Sequence, residues 1–484
     1  MNFSVKKISS KWASLPVEAK ASTAYAICVI ALKCISLITL PLFTRLLTEE
    51  QYGQTTVYSS WSGIFTTLLT LNLAYGSFST AMMKFEHDRD GYISSVHGIC
   101  ITLSGIFLLI YLPFRSSFNK LLGLPTPIVV LMISELLALN AFNLWSGKKK
   151  FEYKYKPVVA FTVCMTVFGV ALAVIAVLMN TEKGYARIVG FASVNILLGG
   201  ALLIAALVQG KKIFNAAYWK YALGFNLPLL AYYLSQTIFN QSDRIMIDHY
   251  CGKDKAAIYG VAYNLSMLLI FVLNAINNSY VPWFYKKIKE GKEEENAKVS
   301  LGIAALMAGL IMIVVIMAPE IIMIMAGKAY AEAVWIIPPV AISLLLLFYS
   351  QLFINVQFYY EQKRKLVYAS VTAAAANIVL NAILIPRVSY IAAGYTTMLS
   401  YIIFAYSNYL TMRTVAKENN FSLKALNMKH LTALFIVFCL LCFGFMALYK
   451  LIIIRYLIVV SMMVAAFIKR KQLIGFINNT VRMK

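Results

Sequence analysis

Residues 24–43 read AYAICVIALKCISLITLPLF, an apolar run interrupted by a single charged residue, Lys33. About 20 residues of α-helix are needed to cross a hydrocarbon core ~30 Å thick, so this run predicts a membrane-spanning helix. Runs of similar length recur along the chain, for example over residues 157–180 and 301–318. The sequence therefore predicts an all-α integral membrane protein with many spans.

The composition supports a membrane protein and argues against a soluble enzyme. Of the 484 residues, 60% are hydrophobic and 13% are charged, whereas soluble domains are roughly a quarter charged. The net charge of +24 would also suit nucleic acid, but the basic residues lie in short segments between apolar runs. Because the seven cysteines lie mostly in apolar runs and the four histidines are isolated, we expect no disulfide framework, metal site or cofactor.

The alternation of apolar runs and charged segments predicts about fourteen transmembrane helices. Their approximate limits are 23–43, 55–77, 93–113, 125–146, 157–180, 186–208, 222–242, 256–283, 299–325, 333–360, 366–386, 391–412, 430–449 and 451–468. If the N-terminus is inside, the inner segments carry most of the 44 lysines and arginines, as the positive-inside rule requires. Both termini are then cytoplasmic. Basic loops such as residues 286–298 are explained by topology and by contact with anionic lipid headgroups.

The short loops exclude one class of function. No loop exceeds about twenty residues, so none carries an independent domain. Membrane polymerases and ligases usually need a long loop or an extramembrane domain to hold their acidic catalytic groups. We therefore expect that the protein is not an enzyme.

A motif recurs in the two halves of the chain. TRLLTEEQYG at residues 44–53 follows the first span, and DRIMID at 243–248 with AAIYG at 256–260 follows the seventh. Each copy has an arginine at the predicted outer end of a helix, then acidic residues, then Tyr-Gly at the next helix. Two sets of six helices in the same orientation describe a parallel repeat. The predicted organisation is an N-terminal lobe over 1–209, a C-terminal lobe over 210–413, and two added helices with a basic tail over 414–484.

The same stretches resemble a known family. LPLFTRLLTEEQYG (40–53) and NQSDRIMIDHYCGKDKAAIYGVAY (240–263) are similar to the polysaccharide transporter branch of the multidrug/oligosaccharidyl-lipid/polysaccharide (MOP) exporter superfamily, which includes Wzx-type O-antigen flippases. The resemblance implies a pair of six-helix bundles in a bacterial cytoplasmic membrane. It also implies movement of an undecaprenyl-diphosphate-linked oligosaccharide to the outer leaflet. A proton or sodium ion and a polysaccharide polymerase complex are candidate partners.

Such a substrate needs a wet path for its sugars, and polar residues at helical spacing could line one. The predicted substrate-binding amides and tyrosines are Asn226, Tyr233, Gln236 and Asn240 in the seventh span, Tyr263, Asn274 and Asn277 in the eighth, and Asn377 and Asn381 in the eleventh. The alternative is interhelical hydrogen bonding, worth ~0.6 kcal/mol per contact. Because these polar residues share a face on each of three helices, the pattern as a whole favours a polar cavity.

Two charged residues, Lys33 and Glu135, are predicted to lie deep inside a span. A lysine there costs at least ~2.5 kcal/mol to insert, so Lys33 should face water, a counter-ion or a ligand. A diphosphate would be a suitable ligand; an ion pair with Glu135 and snorkelling to the interface are the alternatives. Glu135 is the only acidic residue that we place deep in a span, and an apolar setting would let it exchange a proton or sodium ion.

Two arginines and two prolines complete the candidate residues. Arg45 and Arg244 are predicted at outer helix ends beside acidic residues, among them Asp243. A gate formed by ion pairs between the lobes is one interpretation, and ordinary anchoring of helix ends is the other. Pro41 and Pro228 each interrupt the first helix of a lobe and predict kinks that act as hinges.

The predicted function is ion-coupled flipping of a lipid-linked oligosaccharide by alternating access. A cation-coupled multidrug exporter of the same superfamily is the nearest alternative, but it would want acidic groups for cationic drugs where this chain has Lys33. A membrane polysaccharide polymerase or ligase is the second alternative, and the absence of a long outer loop counts against it.

Overall fold

The computed structural model of the chain describes residues 16–468 apart from residues 363 and 420. Within the helices a few side chains, that of Lys33 among them, lie outside the described part. Those described residues are almost entirely helical and include no β-strand. The predicted all-α fold is confirmed.

In the described part of the chain, fourteen long helices, with shorter ones between some of them, each overlap one predicted span. They are α1 (Val17–Leu46), α2 (Glu49–Thr70), α3 (Arg89–Tyr111), α4 (Thr126–Phe151), α5 (Tyr155–Met179), α6 (Lys183–Gly210), α7 (Ala216–Cys251), α8 (Lys253–Ser266 and Ile270–Lys289, joined by a 3₁₀ turn), α9 (Glu293–Ile316), α10 (Ile337–Tyr359), α11 (Arg364–Arg387), α12 (Ala392–Glu418), α13 (Met428–Ala447) and α14 (Ile452–Ile468). Within the described ranges, 10 helices are long and apolar enough to cross a membrane. The chain is a multi-pass membrane protein, and the number of fourteen spans stays a prediction.

The motif after α1 acts as a helix start signal. The Thr48 side chain accepts a hydrogen bond from the Gln51 backbone N–H (3.3 Å), and the Gln51 side chain accepts one from the Thr48 N–H (3.1 Å). This reciprocal capping box satisfies two backbone donors at the N-terminus of α2. The chain can therefore leave α1 after Leu46 and begin α2 at Glu49.

The chain forms two compact units, residues 1–237 and 238–484. In the first unit, small residues let α6 approach its neighbours closely. A Cβ added to Gly190 would lie 2.5 Å from the Ala173 Cα on α5, and one added to Gly199 would lie 2.4 Å from the Ala138 carbonyl oxygen on α4. Such contacts between small residues are typical of helices packed in membranes.

The boundary between the units falls inside α7, later in the chain than the predicted boundary at 209. The seventh span was predicted to end at residue 242, but α7 continues to Cys251. The prediction that Arg244 lies at a helix end is therefore wrong. The segment stays helical because its polar groups find partners on other helices, which the next subsection describes.

The two C-terminal helices belong to the second unit and are fixed to the end of α9. Tyr449 donates to the Val315 carbonyl oxygen (2.6 Å), and Arg455 donates to that of Ile316 (3.4 Å). These carbonyls lie in the last turn of α9, where the regular i→i−4 backbone bonding of a helix ends. Arg455, only 2% exposed, also pairs with Glu320.

Candidate functional site

The first helix carries three predicted residues. Lys33 lies near the middle of α1, but its side chain is outside the described part, so its roles as a diphosphate ligand or as a partner of Glu135 stay predictions. Pro41 lies inside α1 near its end, where a hinge was predicted. Arg45 lies in the last turn and is exposed, in agreement with its predicted position at a helix end.

Asn226 makes packing contacts inside the first unit. Its side chain is fully buried. The amide group donates to the Ser77 hydroxyl (2.7 Å) and to the Ala222 carbonyl oxygen (2.9 Å). These bonds match the interhelical hydrogen bonding that the sequence left open as an alternative, and its part in substrate binding stays a prediction.

The rest of the polar face of α7 is divided between the units. Tyr233 and Gln236 are half-buried in the first unit, and Asn240 and Arg244 belong to the second. Pro228 lies inside the helix, in the part that belongs to the first unit. The polar residues predicted to share one face of α7 therefore pack in two different units.

Asp243 lies at the centre of a buried polar network in the second unit. It is 1% exposed. One carboxylate oxygen accepts from the Asn381 amide (2.5 Å), and the other accepts from the Thr397 hydroxyl (2.6 Å) and from the Tyr259 hydroxyl. Among the described residues no lysine or arginine forms an ion pair with it. Three neutral donors therefore hold a buried carboxylate, an arrangement that in membrane proteins marks functional residues.

The network extends along α11. The side-chain amide oxygen of Asn381 accepts from the Thr396 hydroxyl. Asn377, also fully buried, accepts from the Ser242 hydroxyl (2.8 Å) and from the Asn381 amide (3.2 Å). Its own amide nitrogen has no hydrogen-bond partner among the residues described. Asn377 and Asn381 of α11 and Asp243 of α7, all predicted site residues, are thus brought together. The amide nitrogen of Asn377 remains as an unused hydrogen-bond donor among the described residues.

The structure corrects the prediction that Glu135 is the only acidic residue deep in a span. Because α7 continues past residue 242, Asp243 is also buried inside a long helix. The sequence pattern suggested a loop, since Asp243, Arg244 and Asp248 follow one another closely. Two buried carboxylates, one in each unit, are therefore candidates for ion binding.

Arg244 is a buried cation surrounded by neutral groups. It is 7% exposed. Its guanidinium donates to the Asn240 carbonyl oxygen (3.3 Å), to the Gln241 side chain (2.9 Å) and to the Asn264 side chain (3.2 Å). The guanidinium carbon lies 4.5 Å from the centre of the Tyr263 ring. In the described part of the chain no carboxylate pairs with Arg244.

The predicted residues of α8 lie in two different parts of the helix. Near its start, the Tyr263 hydroxyl donates to the Asn240 side chain (3.1 Å). In its second half, Asn277 accepts from the Asn355 amide on α10 (3.1 Å), and Asn274 is exposed. Only Tyr263 therefore joins the cluster around Arg244.

Glu135 has its own polar pair in the first unit. Its carboxylate is 7% exposed and accepts from the Tyr58 hydroxyl on α2 and from the Asn195 amide on α6 (2.7 Å). As with Asp243, both donors are neutral. The predicted role of Glu135 in ion coupling stays a prediction.

Several contributing residues were not predicted. Tyr259, Thr396 and Thr397 complete the Asp243 network, and Asn264 completes the Arg244 cluster. Tyr259 belongs to the Tyr-Gly pair of the recurring motif, so the motif itself contained a usable signal. The threonines and Asn264 have no such signal, because only the packing of α8 and α12 against α7 shows their role.

An open cavity of about 540 Å³ lies in the second unit, lined by Cys251, Lys255, Glu332, Trp335, Ser389, Tyr390 and Ile391. Tyr390 and Lys255 both donate to the Glu332 carboxylate. The hydrogen bond from Tyr390 lowers the pKa of Glu332 below its usual value, although burial opposes this. None of the predicted substrate residues lies here.

The fold is that of a class of membrane transporters. The lipid II flippase MurJ, in its inward closed conformation, matches 90% of this chain and 99% of its own, with a TM-score of 0.58 and 14% identity. An inward-facing multidrug resistance MATE family transporter of the MOP superfamily matches 82% of this chain and 99% of its own, with a TM-score of 0.56 and 14% identity. At such low identity these similarities concern the fold alone.

The chain belongs to the polysaccharide biosynthesis protein family, whose pattern matches residues 19–287. "Lsg locus putative protein 1" of Haemophilus influenzae is 25% identical over 290 residues, which are 56% of this chain and 67% of that protein. An "Uncharacterized membrane protein" of the same organism is 20% identical over 281 residues, with 56% and 66% covered. The predicted family resemblance is confirmed, and the two solved structures with a similar fold are a flippase and a transporter.

Proposed function

We propose that the protein is a flippase that moves an undecaprenyl-diphosphate-linked oligosaccharide, such as an O-antigen repeat unit, across a bacterial cytoplasmic membrane. Both termini would be cytoplasmic, following the distribution of lysine and arginine. The binding face would open to each side of the membrane in turn, and Pro41 and Pro228 would let their helices bend. Membership of the polysaccharide biosynthesis family supports the substrate class.

One observation carries the proposal: the cluster on α7 and α8 combines a buried cation with amide and hydroxyl groups. Arg244 is bonded to Asn240, Gln241 and Asn264, and Tyr263 lies against it. Amides and hydroxyls suit sugar hydroxyl groups, and a guanidinium suits phosphate. These are the two polar parts of a lipid-diphosphate oligosaccharide.

The same geometry argues against a multidrug exporter for cationic drugs. Such a ligand would need an accessible carboxylate. Asp243 is buried and accepts three hydrogen bonds, and Glu135 is buried and accepts two. Neither carboxylate is presented to a large cation, so small ions are the better candidates for both.

We further propose that Asp243 exchanges the driving ion, a proton or a sodium ion, as substrate is moved. A buried carboxylate among hydroxyl and amide groups can take up a small cation without large rearrangement, because the hydroxyl oxygens of Tyr259 and Thr397 are already close to it. Asp243→Asn keeps the size of the side chain but removes its charge. Transport by this variant should lose its dependence on the ion gradient; full dependence would exclude Asp243 as the coupling site.

The substrate class can be tested with the purified full-length chain in proteoliposomes. A lipid-diphosphate oligosaccharide with a fluorescent sugar should move between leaflets at a rate well above that in protein-free vesicles. A cationic dye such as ethidium should not be transported. Transport of the dye without movement of the glycolipid would favour the multidrug exporter and refute the proposal.

A further inference from the structure

Arg244 has the properties of an anion-binding residue, and these go beyond its predicted role at a gate. A buried charge is normally paired, because moving it out of water is costly. Arg244 is 7% exposed, yet no ion pair involves it within the described ranges, and its contacts are all with neutral groups. The local structure therefore holds this guanidinium by neutral hydrogen-bond partners and gives it no ion pair among the described residues.

The Arg244 guanidinium also has N–H donors that are not used in hydrogen bonds to the described residues. Nη1 donates to two acceptors and Nη2 donates to one. An arginine has five N–H donors in a planar fork. Nε makes no hydrogen bond among the described residues, and Nη2 has one acceptor there, so N–H donors remain for a phosphate.

Neighbouring groups hold the fork in place and provide access to it. The Tyr263 ring lies 4.5 Å from the guanidinium carbon and so limits its rotation. The Tyr263 hydroxyl is in turn bonded to Asn240, one helical turn before Arg244. Asn264, the partner of Nη2, is exposed. The cluster of Arg244, Asn240, Tyr263 and Asn264 is thus held in a fixed arrangement on α7 and α8. It reaches the protein surface at Asn264.

We propose that Arg244 binds the diphosphate of the lipid-linked substrate, with Asn264 as a second polar contact. This assignment rests on the proposed flippase function. It differs from an ion-pair gate, because a gate would need a carboxylate partner whereas this residue is held by neutral ones. Asp243, the adjacent residue in the chain, bonds to a separate set of side chains. Substrate and driving ion would therefore act on neighbouring residues of one helix.

Binding by the detergent-solubilised full chain tests the assignment. The probe is farnesyl diphosphate, measured calorimetrically beside farnesyl monophosphate, farnesol and inorganic pyrophosphate. Arg244→Gln should weaken binding of farnesyl diphosphate by about tenfold or more, the effect of losing hydrogen bonds to a charged group. Arg244→Lys, which keeps the charge without the fork, should be intermediate. Arg387→Gln removes an exposed arginine elsewhere in the unit and should bind like the wild type.

A second variant avoids a buried substitution. Asn264→Asp would place a carboxylate beside Nη2, where it would pair with Arg244 and compete with phosphate, while its exposed position leaves packing intact. It should weaken farnesyl diphosphate binding as much as Arg244→Gln, and Asn264→Ala should weaken it less. Loss of inorganic pyrophosphate binding in the same variants would also support the phosphate contact.

Two results would overturn the assignment. One is farnesyl diphosphate binding within twofold of the wild type in both Arg244→Gln and Asn264→Asp. The other is a loss confined to farnesol, which would indicate an effect on the prenyl chain. If the wild type moves the glycolipid in proteoliposomes while these variants bind and transport normally, only the role of Arg244 fails. If the wild type moves no glycolipid, the proposed function fails.

Discussion

The ion pair between Arg455 and Glu320 should make the second unit sensitive to the loss of either member alone. The Arg455 side chain is 2% exposed and that of Glu320 is 23% exposed. Removing one member of a buried pair typically costs about 3–5 kcal/mol, because the other charge is left without compensation. The two single variants should therefore differ, since the partner left behind is not equally buried in each.

Glu320→Leu leaves the buried guanidinium beside the Tyr456 ring, with the Ile316 carbonyl oxygen as its one hydrogen-bond acceptor among the described residues, and should cost about 3–5 kcal/mol. Arg455→Met leaves a carboxylate that is partly exposed and still accepts from Tyr456 at 2.7 Å, so about 1–3 kcal/mol is expected. The double variant replaces both charges with apolar groups of similar size. It should be destabilised by only about 1 kcal/mol, less than the larger of the single effects.

Unfolding of the four proteins in mixed detergent micelles measures these free energies. Lys450→Met, which removes an exposed cation beside α14, serves as the matched control and should change stability by less than about 0.5 kcal/mol. Additive losses in the double variant would refute the reasoning, because they would show that the two side chains do not interact. Unchanged stability in Glu320→Leu would also refute it.

Three further predictions concern transport and the first unit. Lys33→Ala should slow glycolipid movement without lowering the amount of inserted protein, as quantified by flipping assays and by membrane immunoblots; normal flipping would exclude a ligand role. Glu135→Gln should weaken ion-gradient dependence if this carboxylate also exchanges the ion, and Tyr58→Phe, which removes one donor to it, should shift the pH at which transport is half-maximal. An unchanged response in both would leave Glu135 a packing residue. Pro228→Ala should restore a backbone donor in α7 and reduce the transport rate more than substrate affinity, whereas a pure loss of affinity would argue against a hinge.

Much of the fold could be predicted because each helix is encoded locally. An apolar run of suitable length must be helical in a membrane, where unpaired backbone groups are costly. The segment after residue 242 was an instructive failure. Asp243 and Arg244 suggested a loop, but α7 continues because its polar groups are bonded to residues such as Tyr259, Asn264 and Asn381.

The candidate site could be predicted only in part for the same reason. Periodicity placed Asn240 and Arg244 on one face of α7, and composition marked Asn377 and Asn381 as unusual in α11. Which of these residues meet depends on the packing of helices that are far apart in sequence, and no single-helix pattern contains that information. The polar partners of Asp243 therefore became visible only in the folded chain.

Leaflet exchange under an imposed ion gradient tests the central claim most directly. Proteoliposomes containing the full-length chain and a fluorescent lipid-diphosphate oligosaccharide are given a proton or a sodium gradient, and the fraction of sugar accessible from outside is followed. The glycolipid should accumulate in one leaflet, the asymmetry should reverse when the gradient is reversed, and Asp243→Asn should abolish the reversal. Equal distribution between leaflets under every gradient, or no movement above that in empty vesicles, would contradict the account.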